Sequence, residues 1–208
     1  MSKDIPKDIF VSRPQSFPQQ GRIAMVTTDG TEDQEFFYPY YRFLEAGYTV
    51  DVLTPKGKDF KGKNGAGLEE TMKIEMANAD EYDLLYIPGG KAPAELKKHK
   101  EAIDTARLFA ATGNPIAAVC HGPQVLAEAK LIQGRKIAAW PEVEDEIIQA
   151  GAEYVNAETV VDGQFITARW PGDLPMHLKK TLEILESGEN HRAHRASDME
   201  MATNSHLQ

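Results

Sequence analysis

Short apolar runs alternate with helix-period segments through the middle of this 208-residue chain, and that alternation limits the fold more than any other feature. Ile23–Thr27, Tyr48–Leu53, Leu84–Ile87 and Ile116–Val119 each read as a buried strand. Between them lie helix patterns: Phe36, Tyr40, Phe43 and Leu44 on one face, then Ile103, Ala106 and Ala110 on another. Pro39 falls inside the first pattern, which predicts a kink or a late helix start. Further on, Lys136–Ala139, Tyr154–Val155, Thr159–Val161 and Gln164–Thr167 read as strands, the last two joined by an Asp162-Gly163 turn. Val143, Ile147 and Ala150 mark a helix, and Leu174, Leu178, Leu182 and Leu185 form the face of a final one. Strands alternating with helices require right-handed crossovers and a mainly parallel sheet sandwiched between helices, an α/β fold.

With 41% hydrophobic and 26% charged residues the chain resembles an ordinary globular protein, which argues against global disorder. One domain over residues 21–187 is the economical division, with a flexible arm at 1–20 and a mobile tail at 188–208. His191 and His194 in the tail lack further ligands nearby, so no metal site is assigned. The formal net charge of −9 speaks against nucleic acid as a partner. No signal-peptide pattern or long apolar run appears, which predicts a cytoplasmic protein without a membrane partner. The single cysteine, Cys120, excludes an internal disulfide and fits a reducing compartment. Lys56–Gly67 reads as a hairpin or loop, since its glycines match neither a dinucleotide fingerprint nor a phosphate loop.

Open parallel sheets bind ligands beyond the carboxyl ends of their strands. Three segments reach that edge: Asp29-Gly30-Thr31-Glu32, Pro88-Gly89-Gly90 and Cys120-His121-Gly122. Cys120 sits between a buried strand and a helix whose first turn accepts Pro123, which is the pattern of a nucleophile elbow. Such a turn is expected to present the sulfur to solvent at a helix N-terminus. Lowering a thiol pKa by two units takes about 2.7 kcal/mol, whereas a helix terminus supplies roughly 0.3–1 and at most ~2. A further partner is required, and Glu32 is the candidate, placed at a helix start by a Thr31–Gln34 capping box. A buried, protonated Glu32 would donate to the thiolate and shuttle a proton. Backbone N–H groups of Gly90 and His121 are the candidate oxyanion hole, with Gly89 beside them in the turn as a candidate substrate-binding residue. Tyr38, Trp170 and His177 are candidate pocket residues, with core packing an equal alternative for each.

Ala118-Val119-Cys120-His121-Gly122-Pro123-Gln124 together with Ile87-Pro88-Gly89-Gly90 resembles the ThiJ/PfpI family of the class I glutamine amidotransferase-like superfamily. Matches continue through Glu32-Asp33, Tyr38-Pro39-Tyr40, Gly134-Arg135-Lys136, Ala150-Gly151-Ala152, Val160–Gly163 and Asp173-Leu174, and the likeness is strongest to the PfpI branch of intracellular cysteine peptidase-like proteins. It covers roughly Arg22 to Leu185. The resemblance implies a flavodoxin-like single domain, a Cys120 nucleophile with Glu32 and His121 as partners, and Gly90 in the oxyanion hole. It also implies homodimers or larger homo-oligomers and no cofactor. The activity it implies is glyoxalase or deglycase chemistry on small carbonyl compounds and adducts, or hydrolysis of peptide bonds. One departure stands out: where peptidase-like members place a triad glutamate contributed by a neighbouring subunit, this chain has Ala94, with Glu95 one residue later. The non-catalytic alternative is a redox sensor or stress-response holdase that uses the oxidation of Cys120.

Overall fold

The computed structural model describes residues 20–188. The expectations for the arm, and for the tail beyond residue 188 with His191 and His194, lie outside the described residues. In chain order the elements are β1 (Gly21–Val26), α1 (Asp33–Glu45), β2 (Tyr48–Thr54), β3 (Phe60–Lys61), β4 (Gly67–Leu68), β5 (Met72–Lys73) and β6 (Leu84–Ile87). They continue with α2 (Ala92–Leu96), α3 (Lys100–Thr112), β7 (Ile116–Val119), α4 (Pro123–Glu128), β8 (Lys136–Ile137) and α5 (Glu144–Gln149). Then follow β9 (Glu153–Tyr154), β10 (Val160–Asp162) and β11 (Phe165–Ala168). A last helix, α6, runs through residues 174–188.

A seven-stranded sheet with the order β10-β11-β7-β6-β1-β2-β5 forms the centre. All its pairings are parallel except β10 with β11, which turn back on each other at Asp162-Gly163. This is the mainly parallel α/β architecture that the alternating pattern predicts. Both faces of β6 and β7 are covered, which is why Leu-Leu-Tyr-Ile and Ile-Ala-Ala-Val are continuous apolar runs rather than alternating ones. Their residues still divide by parity. Leu85, Ile87, Ile116 and Ala118 enter the core under α3, α4 and α5, while Leu84, Tyr86, Ala117 and Val119 enter the core under α1 and α6.

Two details differ from the sequence pattern. Pro39 lies inside α1, which starts at Asp33, so the late helix start does not occur. β8 pairs with β9 in a separate two-stranded ribbon instead of joining the main sheet. Residues 56–67 do contain a hairpin, formed by β3 and β4. It leans on the first loop through Gly30 N–H to the Lys61 carbonyl and Lys63 N–H to the Thr31 carbonyl.

The order of the strands locates the site. From β1 the chain first builds outward through β2 and β5, then crosses to β6 on the other side of β1. The crevice at that reversal, outside the carboxyl ends of β1, β6 and β7, is where open α/β sheets bind ligands.

Candidate active site

Cys120 directly follows β7 and has φ 61°, a left-handed conformation that is costly for a residue with a side chain. The surroundings hold it there. Its N–H donates to the Ala168 carbonyl (3.0 Å), its own carbonyl accepts from Trp140 N–H (2.9 Å), and Gly122 N–H donates to the Val119 carbonyl (2.8 Å). Pro123 opens α4 at its first turn. The elbow expected from the sequence is therefore present, but its sulfur does not project into solvent: Cys120 is only 6% exposed. Burial pushes the thiol pKa up, and the nearby Glu35 carboxylate pushes it further, against backbone N–H groups of Gly90 and His121 that donate to the sulfur. His121 Nδ1 lies 3.1 Å from Sγ.

The carboxyl group beside the sulfur belongs to Glu35, not to Glu32. Glu32 precedes α1 in extended conformation (φ −72°, ψ 119°), makes no side-chain cap, and accepts a hydrogen bond from Lys63 Nζ at 3.1 Å. The hairpin lysine thus engages the Glu32 carboxylate. The expected Thr31 cap is absent as well, because the Thr31 hydroxyl donates to the Gly89 carbonyl (3.4 Å) and its backbone bridges to Gly90. Glu35 lies within the first turn of α1 and is wholly buried. Its Oε2 accepts from Gly89 N–H at 2.9 Å, and the carboxyl also contacts the Cys120 thiol. Desolvation is the main cause that raises its pKa to about 7, partly offset by those hydrogen bonds and by Lys63, and reinforced by Glu32.

Burial thus disfavours ionising either member of the Glu35–Cys120 pair: the carboxyl gives up its proton around pH 7, and above that pH one proton is left between the two groups. Glu35 occupies the position beside the sulfur that was expected of Glu32. One sequence signal pointed to it: Glu35, Phe36, Pro39, Tyr40 and Phe43 form a single buried stripe, and an acid inside such a stripe is unusual.

The two glycines of the turn are sterically required. A Cβ on Gly89 would fall 2.5 Å from Glu35 Oε2 and 2.6 Å from Cys120 Cβ. Gly90 has φ +77°, and a Cβ there would meet Glu32 N at 2.4 Å. Only glycine lets this backbone pass between the acid and the thiol.

The other candidates separate. Tyr38, on α1, is 45% exposed. Trp170 is set back from the site: its ring packs edge-on against Trp140 (5.9 Å between centroids), and Trp140 in turn stacks on His121 (6.3 Å). Trp140 was not singled out in the sequence, where it reads only as a strand end before Pro141. His177 is fully buried within α6, out of reach of a substrate, and burial lowers its pKa to about 4. His121 is half-buried, and burial lowers its pKa too, against Glu142 and Glu146, so the ring is held neutral. Glu95 on α2 is exposed and pairs with Lys98 Nζ at 2.7 Å. Among the described residues, no three or more His, Cys, Asp or Glu side chains are grouped to hold a metal ion, and no helix is long and apolar enough to cross a membrane.

A parallel α/β sheet with a strained cysteine elbow, a buried acid and a double-glycine turn at its switch point defines a class of cysteine-centred flavodoxin-like domains. Residues 21–184 match the DJ-1/PfpI family, and the chain belongs to it. It is 38% identical over 167 residues to protein/nucleic acid deglycase 2 of Escherichia coli, covering 79% of this chain and 97% of that protein. It is 34% identical over 165 residues to deglycase PfpI of Pyrococcus furiosus, covering 79% of this chain and 99% of that protein. Among solved structures, a two-domain protein of Anabaena variabilis with DJ-1/ThiJ/PfpI-like and ferritin-like domains superposes with TM-score 0.78 at 33% identity. That match covers 80% of this chain and 48% of the other, so this chain spans about half its length.

Proposed function

We propose that this protein is a cysteine-dependent enzyme that acts on small carbonyl compounds and their adducts, with Cys120 as nucleophile and Glu35 as the acid that moves the proton. The observation that carries this reading is the buried Glu35–Cys120 pair, with Glu35 held near pKa 7 and two backbone N–H groups aimed at the sulfur. A carboxyl with a pKa near ambient pH both gives and takes protons effectively. The deglycase names of the relatives agree with this chemistry.

For an aldehyde such as methylglyoxal, the sulfur attacks the aldehyde carbon and a C–S bond forms. The carbonyl π pair moves to oxygen, which takes the shared proton from the pair, giving a hemithioacetal. Gly90 and His121 N–H groups stabilise the developing oxyanion. The aldehyde hydrogen then shifts to the neighbouring carbonyl carbon, with Glu35 relaying the hydroxyl proton, and a thioester results. Water hydrolyses the thioester to lactate and returns the thiol, so carbon is isomerised without an external oxidant. In an early adduct of methylglyoxal that carbon is a hemiaminal or hemithioacetal: its C–N or C–S bond breaks as the hydroxyl proton passes through Glu35 to the departing amine or thiol, and the aldehyde carbonyl that re-forms is then attacked by the sulfur.

Purified protein incubated with methylglyoxal, and separately with its preformed adduct on N-acetylcysteine, is expected to yield lactate. Cys120→Ser and Glu35→Gln are expected to abolish or nearly abolish it. Lactate no faster than in buffer from either substrate would overturn the reading. The 3.1 Å approach of His121 Nδ1 to Sγ supports a second reading, a peptidase in which His121 is the base. Cleavage of a fluorogenic peptide that is lost in His121→Ala, alongside no lactate, would favour it.

A further inference from the structure

Close to the Glu35–Cys120 pair, three buried side chains, Glu35 among them, present polar atoms that no neighbour satisfies. Glu35 Oε1, Tyr86 Oη and both ring nitrogens of His177 have no hydrogen-bond partner among the described residues. Each of the three residues is 0% exposed. They come from three elements around one space: α1 supplies Glu35, β6 points Tyr86 toward the face covered by α1 and α6, and α6 supplies His177. The Tyr86 and His177 rings lie 5.9 Å apart at 52°, too tilted for a stacked pair. Phe43 closes the side of Tyr86 with its ring edge-on at 5.5 Å. Tyr86 is near enough for the charges of both Glu35 and Cys120 to act on it.

Buried polar atoms are nearly always paired, and clustered orphans are where internal water is found. The donor and acceptor count fits all of these groups except the His177 N–H. Tyr86 offers an O–H, neutral His177 offers one N–H and one lone pair, and Glu35 Oε1 accepts. A single water can accept from Tyr86 and donate both to Glu35 Oε1 and to the bare nitrogen of His177. We propose that Tyr86 and His177 are positioning residues that hold a buried water against Glu35 Oε1. This water fixes the carboxyl while Oε2 is held by Gly89, and links the shared proton of the reactive pair to the protein interior. The inference deepens the reading of Glu35 given above and rests on it only for the role of the proton, not for the substrate.

The charged and titratable groups that face this space are Glu35 from α1 and Cys120 from the elbow. Glu32 and Lys63 act on Glu35 from the mouth, and Asp173, just before α6, acts on His177. Hydrogen bonds donated to Oε1 favour the carboxylate, so their loss raises the pH at which the pair gives up its proton.

The test needs no substrate. Alkylation of Cys120 by iodoacetamide is followed across pH in the full chain and in Tyr86→Phe, His177→Phe and His177→Gln. Both Phe variants are expected to move the midpoint of the profile upward by about half a pH unit or more, while His177→Gln, which keeps a donor and an acceptor, stays near the parent. Folded Phe variants with an unmoved midpoint would overturn the proposal. If the Phe variants do not fold, a high-resolution crystal structure of the parent decides: an ordered water bonded to Glu35 Oε1 and Tyr86 Oη supports it, and direct protein partners for those atoms overturn it. The two proposals fail separately. Absent lactate with a shifted midpoint removes only the substrate assignment, and lactate formation with an unmoved midpoint removes only the water.

Discussion

Cys120 divides its surroundings into two regions built on opposite principles. On the crevice side the polar groups have partners at or near the surface: Glu32 with Lys63, Arg169 with Asp173 and the Trp170 ring, and His121 against Trp140. On the sheet side Glu35, Tyr86 and His177 are sealed in, and burial is the first cause of every shift in their ionisation. Two acids three residues apart at the start of one helix therefore have different chemistry. An exposed lysine compensates Glu32, whereas nothing of opposite charge stands close enough to Glu35 to keep it ionised through neutral pH. Proximity to the crevice made Glu32 the attractive candidate; desolvation gives Glu35 the pKa of about 7 that the proposed chemistry calls for.

The largest effect expected from this contrast is on turnover. Glu35→Gln keeps the size and one hydrogen-bond acceptor but cannot shuttle a proton, and the loss of a general acid–base group costs roughly 10²–10⁴-fold in rate. Lactate formation from methylglyoxal measures it, and a fall of less than about tenfold would place the proton transfer elsewhere. Gly90→Ala comes next. The added Cβ would lie 2.4 Å from Glu32 N in a backbone with φ +77°, so the turn must shift and carry its N–H away from the sulfur. A misplaced oxyanion donor costs about 10²–10³-fold in kcat, and unchanged kcat in a folded variant would remove Gly90 from the oxyanion hole.

The sealed side also makes a prediction about stability that the crevice side does not. Glu35 has its pKa raised from 4.5 to about 7 on folding, so the unfolded chain releases this proton first and stability falls as pH rises through that window. His177 has its pKa lowered from 6.5 to about 4, so the unfolded chain binds this proton first and stability falls as pH drops through that one. Between pH 4.5 and 6.5 the two slopes oppose each other, each about 1.4 kcal/mol per pH unit. Denaturant melts across pH test the balance. Relative to the parent, Glu35→Gln is expected to gain stability as pH rises from 4.5 to 7, on the order of 3 kcal/mol in total. His177→Phe is expected to show the opposite trend from pH 4 to 6.5, gaining relative to the parent as pH falls. Flat difference curves would show that neither group is desolvated as the structure has it.

Much of this molecule is written in local patterns. Strands buried on both faces must be runs such as Leu84–Ile87, and an elbow needs a small residue and a proline after its nucleophile, as in Cys120–Pro123. The Asp162-Gly163 turn fixes the β10–β11 hairpin. What stayed hidden depends on contacts between distant segments. The hairpin whose lysine engages Glu32 is formed some thirty residues later. His177 looked like a pocket residue, yet with Leu178, Thr181 and Leu182 it occupies the inward stripe of α6. α2, with five residues, is too short to show a period. Glu35 was legible in principle, because its spacing from Pro39 and Phe43 puts it on the buried face. A carboxylate on an amphipathic helix is so commonly solvated, however, that its position in the stripe had to outweigh its residue type.

The smallest expected effect sharpens the comparison most. Glu32→Gln removes the charge that Lys63 Nζ meets at 3.1 Å in an open setting, and exposed ion pairs contribute little because water screens both partners. Turnover is expected to change by less than about threefold. Its direction is informative: Glu32 and Lys63 push the Glu35 pKa in opposite senses, up and down respectively. Losing the Glu32 charge leaves the lysine uncompensated, so the alkylation midpoint of Cys120 is expected to move slightly downward, opposite to Tyr86→Phe. If Glu32→Gln instead abolished turnover while Glu35→Gln did not, the acid at the mouth would be the working partner of Cys120, and the division between the two regions would be reversed.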